Sequence, residues 1–287
     1  MMKSMVSPAM PIATNSNLAS SSAQRHFASA ANGVQRSFER LSSGYRINNA
    51  ADDAAGLAVS ETLGAQIRAF SVAERNTSNA VSMSQTAESG LGQLGDILVR
   101  MRDLSVQAAN GDLSSAARGN NDTEFQLLKA EIDRLSQSTK FNGKDMLAGT
   151  ATTFDFQVGI GSTSSDIISV SFGGISLSNF GLSGTNVAGS DGAAAIAAID
   201  QVDVAFATVN ARRAAFGATQ NRLGVSQTST ASIRTNLMAS NSLIRDLDVA
   251  EESARLARGQ LLMQAGVSVM AQANRQPEMA LSLLGGR

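Results

Sequence analysis

The 287-residue chain contains no cysteine and no tryptophan, a single tyrosine, a single histidine and three prolines. Without cysteine there is no disulfide, no thiolate metal site and no cysteine nucleophile. Aromatic residues make up 4% of the chain, so it lacks the large rings on which a compact enzyme core usually leans. No run of about 18 apolar residues occurs, so no transmembrane helix is expected. An excess of charge of either sign is also missing. With 23 basic and 24 acidic residues the net charge is −1, which excludes the basic surface that a nucleic-acid binder needs to displace counterions from phosphate. The stretch MMKSMVSPAMPIATNSNLASSS has no continuous apolar core and is not a secretory signal peptide of the cleaved kind.

What the chain does have is 43% hydrophobic residues, mostly Ala, Leu, Ile, Val and Met. These suit helices packed along their length. A first helical pattern follows Asn17. Phe27, Ala31, Val34, Phe38 and Leu41 recur at the alternating spacing of a coiled-coil seam, and Ser42-Ser43-Gly44 breaks it. A second pattern opens at Asp52 or Asp53 and reaches about Ala109 without a proline. Leu91, Leu94, Leu98, Met101, Ser105 and Ala108 form its seam, which turns polar near Thr77 and Ser84. At 1.5 Å per residue this helix is roughly 80 Å long, and Asn110-Gly111-Asp112 stops it. A third helix fits Asp122–Ser138, with Leu128, Ile132 and Leu135 inward, and Phe141-Asn142-Gly143 turns the chain. The period then changes to two. Phe154, Phe156 and Val158, followed by Ile168, Val170 and Phe172, predict a hairpin. The helical pattern returns at Asp191 with Ile199, Val202, Phe206 and Val209. It runs toward the C-terminus with little punctuation through Leu256, Met263, Val267 and Met270.

These patterns predict a mainly α chain, a long antiparallel helical bundle or coiled coil with a small β-hairpin region. Residues 1–41 and 236–287 form a terminal-helix domain. Residues 42–235 form a helical rod, with the hairpin at about 152–173 and a short variable loop at 173–190. Two helices alone leave apolar seams uncovered, which predicts self-assembly through Phe27, Val34, Phe38, Leu41, Leu256, Met263, Val267 and Met270.

No catalytic, metal or cofactor site is expected. Asp52 and Asp53 have no histidine nearby and no calcium-loop spacing, so a hydrolase built on Asp52, Asp53 and Glu61 is the weaker reading. The stronger one is structural: Asp52 caps the free N–H groups at the start of the long helix and Asp53 favours its positive end. GLGQLG (Gly90–Gly95) spells a dinucleotide fingerprint but lies inside a helical seam with no strand before it. His26 fits a helix residue better than a ligand. The 260–284 stripe is interrupted by Gln260, Gln264, Gln272, Asn274 and Arg275 and has no basic face for a membrane surface.

The ordered motifs ATNSNLAS (Ala13–Ser20), ERLSSGYRINNAADDAAGLAVSE (Glu39–Glu61), RMRDLSVQAANG (Arg100–Gly111), EIDRLSQSTKFNGKDML (Glu131–Leu147), FQVGIG (Phe156–Gly161), RAAFGATQNRL (Arg213–Leu223) and GQLLMQAGVSVMAQANRQPEMALSLL (Gly259–Leu284) resemble bacterial flagellin over nearly the whole chain. The resemblance implies a structural subunit of the flagellar filament, self-polymerising for motility, with no enzymatic activity and no outer domains. It implies an extracellular location reached by type III export without a cleaved signal peptide. The implied partners are copies of itself, an export chaperone, hook-associated and cap proteins, and the host Toll-like receptor for flagellin. Arg100, Leu104 and Glu124 correspond to the positions that receptor meets, although Asp103 and Ser105 replace the Glu and Ala usual in the motif. The stretch around Asp52 and Asp53 corresponds to the connector between inner and outer helices. Family members usually begin near Met10, so the start is Met1 or Met10, and Gly285-Gly286-Arg287 extends past the usual end. The alternatives are a hook–filament junction protein and a secreted immune ligand or adhesin.

Overall fold

A computed structural model describes residues 17–284, with side chains as far as Glu278. The Met1 or Met10 start and the Gly285-Gly286-Arg287 tail lie outside these residues. In chain order come α1 (Leu18–Ser43), α2 (Ala54–Ala109), α3 (Ser115–Ser138), β1 (Lys140–Phe141), β2 (Lys144–Asp145), β3 (Thr152–Gln157), β4 (Ile167–Phe172), α4 (Ala193–Arg245) and α5 (Val249–Leu284). The mainly helical class with a small antiparallel hairpin is what the patterning predicted.

The chain divides into two compact units. The described parts of Met1–Gly64 and Met238–Arg287 make one, and Ala65–Leu237 the other. Residues 42–64, which the sequence pattern groups with the rod, cluster with the terminal helices.

In the unit of residues 65–237, α2 buries one face from Ala80 through Leu91, Leu94, Leu98 and Met101 to Ala108. The same core takes Phe125 and Ile132 from α3, and Ala195, Val202, Val209, Phe216 and Leu223 from α4. The polar seam positions Thr77, Ser84 and Ser105 are fully buried. Each hydroxyl donates to the carbonyl one turn back, on Ala73, Ala80 and Met101, at 2.8 Å in each case. The helix therefore carries them without an orphaned polar atom. Strands β3 and β4 pair antiparallel from Thr152↔Phe172 to Gln157↔Ile167. Phe172 stacks between Phe154 and Phe216, with ring centroids 5.6 and 5.3 Å away. Gly90 of the GLGQLG stretch lies in α2, where an added Cβ would sit 2.8 Å from Leu147 Cδ1. Close packing accounts for the glycine.

Three expectations need correction. First, α3 starts at Ser115 rather than Asp122, because the Ser114 hydroxyl caps it by accepting from Ala117 N at 3.2 Å. Second, the turn after α3 is a complete two-residue hairpin, β1–β2. Asn142 and Gly143 both adopt left-handed torsions, φ 48° and 76°, the signature of the Asn-Gly turn. Third, the last helical stretch is two helices. Asp248 starts α5 by accepting from Ala250 N (2.9 Å) and Glu251 N (3.1 Å).

The 173–190 segment is irregular, as expected, but it is firmly anchored. Ile175, Phe180, Leu182 and Val187 are buried in the core. Polar side chains from one face of α3 hold its backbone. Asp122 Oδ1 accepts from Val187 N (2.8 Å), Gln126 Nε2 donates to Thr185 O (3.2 Å), and Lys129 Nζ donates to Ser183 O (3.2 Å) and Thr185 O (2.9 Å). Burial pulls the Lys129 ammonium below the usual lysine range. Arg118, 2% exposed, reaches Ala108 O, Asn110 O and Ser190 O.

Candidate functional site

The Asp52–Asp53 joint is built from hydrogen bonds, and the cap expected of Asp52 falls to Asp53. Asp53 is the cap of α2: its Oδ1 accepts from Gly56 N at 2.8 Å, and its carbonyl accepts from Leu57 N at 3.0 Å. Asp52 ties the preceding loop instead. Its Oδ2 accepts from Asn48 N (3.2 Å) and Asn49 N (3.1 Å), and its Oδ1 pairs with Arg40 at 3.2 Å. Gly56 is favoured at its position, because a Cβ there would displace the Asp53 carboxylate from its cap and come within 2.8 Å of Ile47 Cδ1.

The joint is also bound to the break between α4 and α5. Arg46 N donates to Arg245 O (2.7 Å) and Leu247 N to Gly44 O (3.0 Å). The Arg245 guanidinium lies 4.7 Å from the Tyr45 ring centroid and pairs with Glu61 at 2.7 Å. Both interruptions of helix thus fall at one level and satisfy one another's backbone groups. That pairing is why α4 stops where the sequence alone showed no punctuation.

The backbone N–H of Asn49, together with that of Asn48 and the Arg40 guanidinium, holds the Asp52 carboxyl below its ordinary value of 3.8. Its folded value is depressed, so its contribution is complete above about pH 4 and is lost as pH falls through the lower folded value. Amide exchange at Asn48 and Asn49 is expected to accelerate with a midpoint below 3.8, as followed by NMR. A midpoint at or above that value would contradict the loop tie.

Helices α1 and α5 pack antiparallel, as the bonds Asn17 Nδ2 to Ala273 O (2.8 Å) and Ser37 Oγ to Glu252 Oε1 (2.5 Å) show. The residues of α1 turned inward are Ser20, Ala23, Phe27, Ala30, Val34, Ser37 and Leu41, and those of α5 are Glu252, Leu256, Gly259, Met263, Gly266, Met270 and Ala273. Both sets alternate three and four apart, the coiled-coil spacing. Of the predicted seam, Val34 is buried and Phe27, Leu41, Leu256, Met263 and Met270 are half-buried. Phe38 and Val267 lie outside the α1–α5 contact, each being 54% exposed. They sit one position off the seam, and Ser37 and Gly266 take their places.

The reason is steric and electrostatic. A Cβ on Gly259 would come 2.7 Å from Val34 Cγ2, and one on Gly266 would rest 3.5 Å from the Phe27 ring. Gly259 is the hole into which Val34 fits. Buried Glu252 sits between Ser37, Arg40 (4.0 Å) and Arg255 (3.4 Å). A search for apolar residues passes over glycine, serine and glutamate. The unbroken heptad spacing was the signal that could have found them.

Arg100 and Glu124 form an exposed ion pair at 2.7 Å, joining α2 to α3. Leu104 does not share their surface. It is 1% exposed within the core, because its helix face is the one turned toward α3 and α4. Among the described residues no group of three or more His, Cys, Asp or Glu is placed to hold a metal ion.

The family profile of the bacterial flagellin N-terminal helical region matches residues 14–152, and that of the C-terminal helical region matches 199–284. Flagellin from Halalkalibacterium halodurans is 39% identical over 272 residues, covering 94% of this chain and 98% of the relative. The flagellar filament 33 kDa core protein of Treponema phagedenis is 37% identical over 284 residues, covering 94% and 99%. A putative flagellar hook-associated protein from Vibrio parahaemolyticus superposes with a TM-score of 0.57 over 68% of this chain and 99% of its own, at 15% identity, a likeness of fold alone. Matched at both helical ends and aligned across nearly its full length, the chain belongs to the bacterial flagellin family.

Proposed function

We infer that the chain is a structural subunit of the bacterial flagellar filament, polymerising with copies of itself through its terminal helices. The observation that carries this is the α1–α5 pair. It is registered by a complete heptad seam, yet it leaves Phe38, Leu261, Leu262, Val267 and Val269 exposed. A two-helix pair with that much apolar surface gains by covering it with further copies. Alignment across nearly the whole length with a flagellin and a filament core protein supports the same reading. A hook–filament junction role has no observation favouring it over the filament.

The finer parts of the proposal follow the family. The subunit leaves the cell by flagellar export without a cleaved signal peptide. Its terminal helices meet an export chaperone first, then hook-associated and cap proteins and other subunits. A host Toll-like receptor meets the exposed Arg100–Glu124 pair, while buried Leu104 supports that surface from within. Arg100→Ala is therefore expected to lower receptor signalling by about ten-fold, as for loss of a contact-centre arginine. Unchanged signalling would remove that side chain from the contact.

The filament reading is tested by seeding the full chain with short filament fragments beside a chain ending at Arg258. Electron microscopy is expected to show filaments from the full chain and none from the truncation. A full chain that stays monomeric beside competent seeds would overturn the filament reading.

A further inference from the structure

Between α1 and α5 runs a groove of ≈620 Å³ whose lining includes Phe27, Gly33, Arg36, Arg258 and Leu262. Its floor is open at Gly33, which presents no side chain, and nothing lies within 4 Å of where a Cβ there would point. Its rim is cationic. Arg40 and Arg255, also at the rim, are answered by Asp52, Glu251 and Glu252. Arg36 and Arg258 have no hydrogen bond or ion pair among the described residues. The groove therefore presents an apolar slot beside two guanidinium groups lacking a carboxylate among the described residues.

The same unit carries the complementary pair of groups. Phe38 has an exposed ring, and the adjacent Glu39 is exposed, its carboxylate held among the described residues only by a long 3.5 Å bond from Gln35 Nε2. At 3.6 residues per turn, Phe38 lies on the opposite flank of the α1 contact face from Gly33. It cannot enter its own groove.

We propose that this groove seats the Phe38 ring of a second copy of the chain, with the Glu39 carboxylate of that copy placed between Arg36 and Arg258. This rests on the filament reading and deepens it. Knob and groove are different patches on one subunit, and used in one direction, not exchanged reciprocally within a pair, the contact is head-to-tail and leaves a free groove and a free knob at the ends. That is the condition for an open helical polymer rather than a closed dimer. Arginine suits the rim, since its planar fork holds a carboxylate by two bonds.

Gly33 permits a clean test. Gly33→Ala leaves the groove open, since its Cβ meets nothing within 4 Å, whereas Gly33→Leu fills the groove against its own lining. Critical concentrations are read by sedimentation after seeding with wild-type fragments, and circular dichroism checks folding. The concentration for Gly33→Leu is expected to rise about ten-fold or more while that for Gly33→Ala stays within about two-fold of wild type, as for loss of one buried aromatic anchor. The absence of native cysteine allows a second reading. Gly33→Cys and Phe38→Cys subunits are mixed, polymerised and oxidised, and are expected to form crosslinked dimers in filaments, with neither variant alone doing so. Should Gly33→Leu fail to fold, the cysteine pair decides. Unimpaired polymerisation of folded Gly33→Leu, or filaments of the mixture without the crosslink, would each overturn the groove contact. Failure of wild type to polymerise would overturn the filament reading itself, and the groove contact with it.

Discussion

Arg118→Met is expected to destabilise the unit of residues 65–237 by about 3 kcal/mol, measured as a fall in its urea midpoint at unchanged slope. The Arg118 guanidinium is buried and has no carboxylate partner among the described residues. It is held by three carbonyls: Ala108 O at 2.8 Å, Asn110 O at 2.8 Å and Ser190 O at 3.1 Å. Two of these belong to the C-terminal end of α2, where the last carbonyls have no helical donor and the helix dipole favours a cation. The third belongs to the last turn of the segment before α4. One side chain thus closes a helix end and ties down the returning chain. Each charge-assisted bond is worth about 1.5–3 kcal/mol before rehydration of the exposed end is allowed for, so about 3 kcal/mol for the set is a discounted sum. Arg118→Lys should recover only part of the loss, because an ammonium cannot span three diverging acceptors. A loss below about 1 kcal/mol would show that water replaces the guanidinium, against the penalty for unpaired buried carbonyls.

Glu252→Ala is expected to loosen the α1–α5 pair by about 2 kcal/mol and to raise the critical concentration for polymerisation roughly 30-fold. The carboxylate is almost fully buried, accepts from Ser37 Oγ at 2.5 Å and lies between Arg40 and Arg255. Removing a partner from a fully buried ion pair costs about 3–5 kcal/mol. Here the side chains of Arg40 and Arg255 keep 22% and 53% exposure, so both can turn to water and the smaller figure applies. Glu252→Gln preserves the shape and the bond from Ser37, so it should fall between wild type and alanine. Hydrogen exchange of α1 in the free subunit reads the loosening directly, and sedimentation reads the polymerisation. Equal exchange in wild type and Glu252→Ala would show that the apolar seam alone holds the pair.

The two substitutions separate the two units. Arg118 acts within residues 65–237 and Glu252 within the terminal-helix unit. Arg118→Met should therefore leave exchange in α1 unchanged, and Glu252→Ala should leave the urea midpoint of the other unit unchanged.

Sequence alone determined the helical class, the positions of α1 and α2, the β3–β4 hairpin and the flagellin resemblance. Those features depend on local spacing: a heptad run, a period of two, a glycine or asparagine at a stop. Tertiary structure decided the rest, because the competing interactions join residues far apart in the chain. The end of α4 is set by backbone pairing with residues 44–47. Asp53 takes the cap expected of Asp52 because the N–H groups of Asn48 and Asn49 lie where Asp52 reaches them. Leu104 shares a face with Arg100 by spacing, yet α3 and α4 cover the leucine and leave the arginine in water. Phe38 and Val267 are apolar at nearly the right interval, but the seam follows Ser37 and Gly266 one position away. There a missing side chain and a buried carboxylate permit an approach of helices that two larger apolar groups would block. Sequence periodicity shows which residues recur on a helix. Only the partner helix, by the space it leaves and the charges it brings, decides which of neighbouring positions is turned inward.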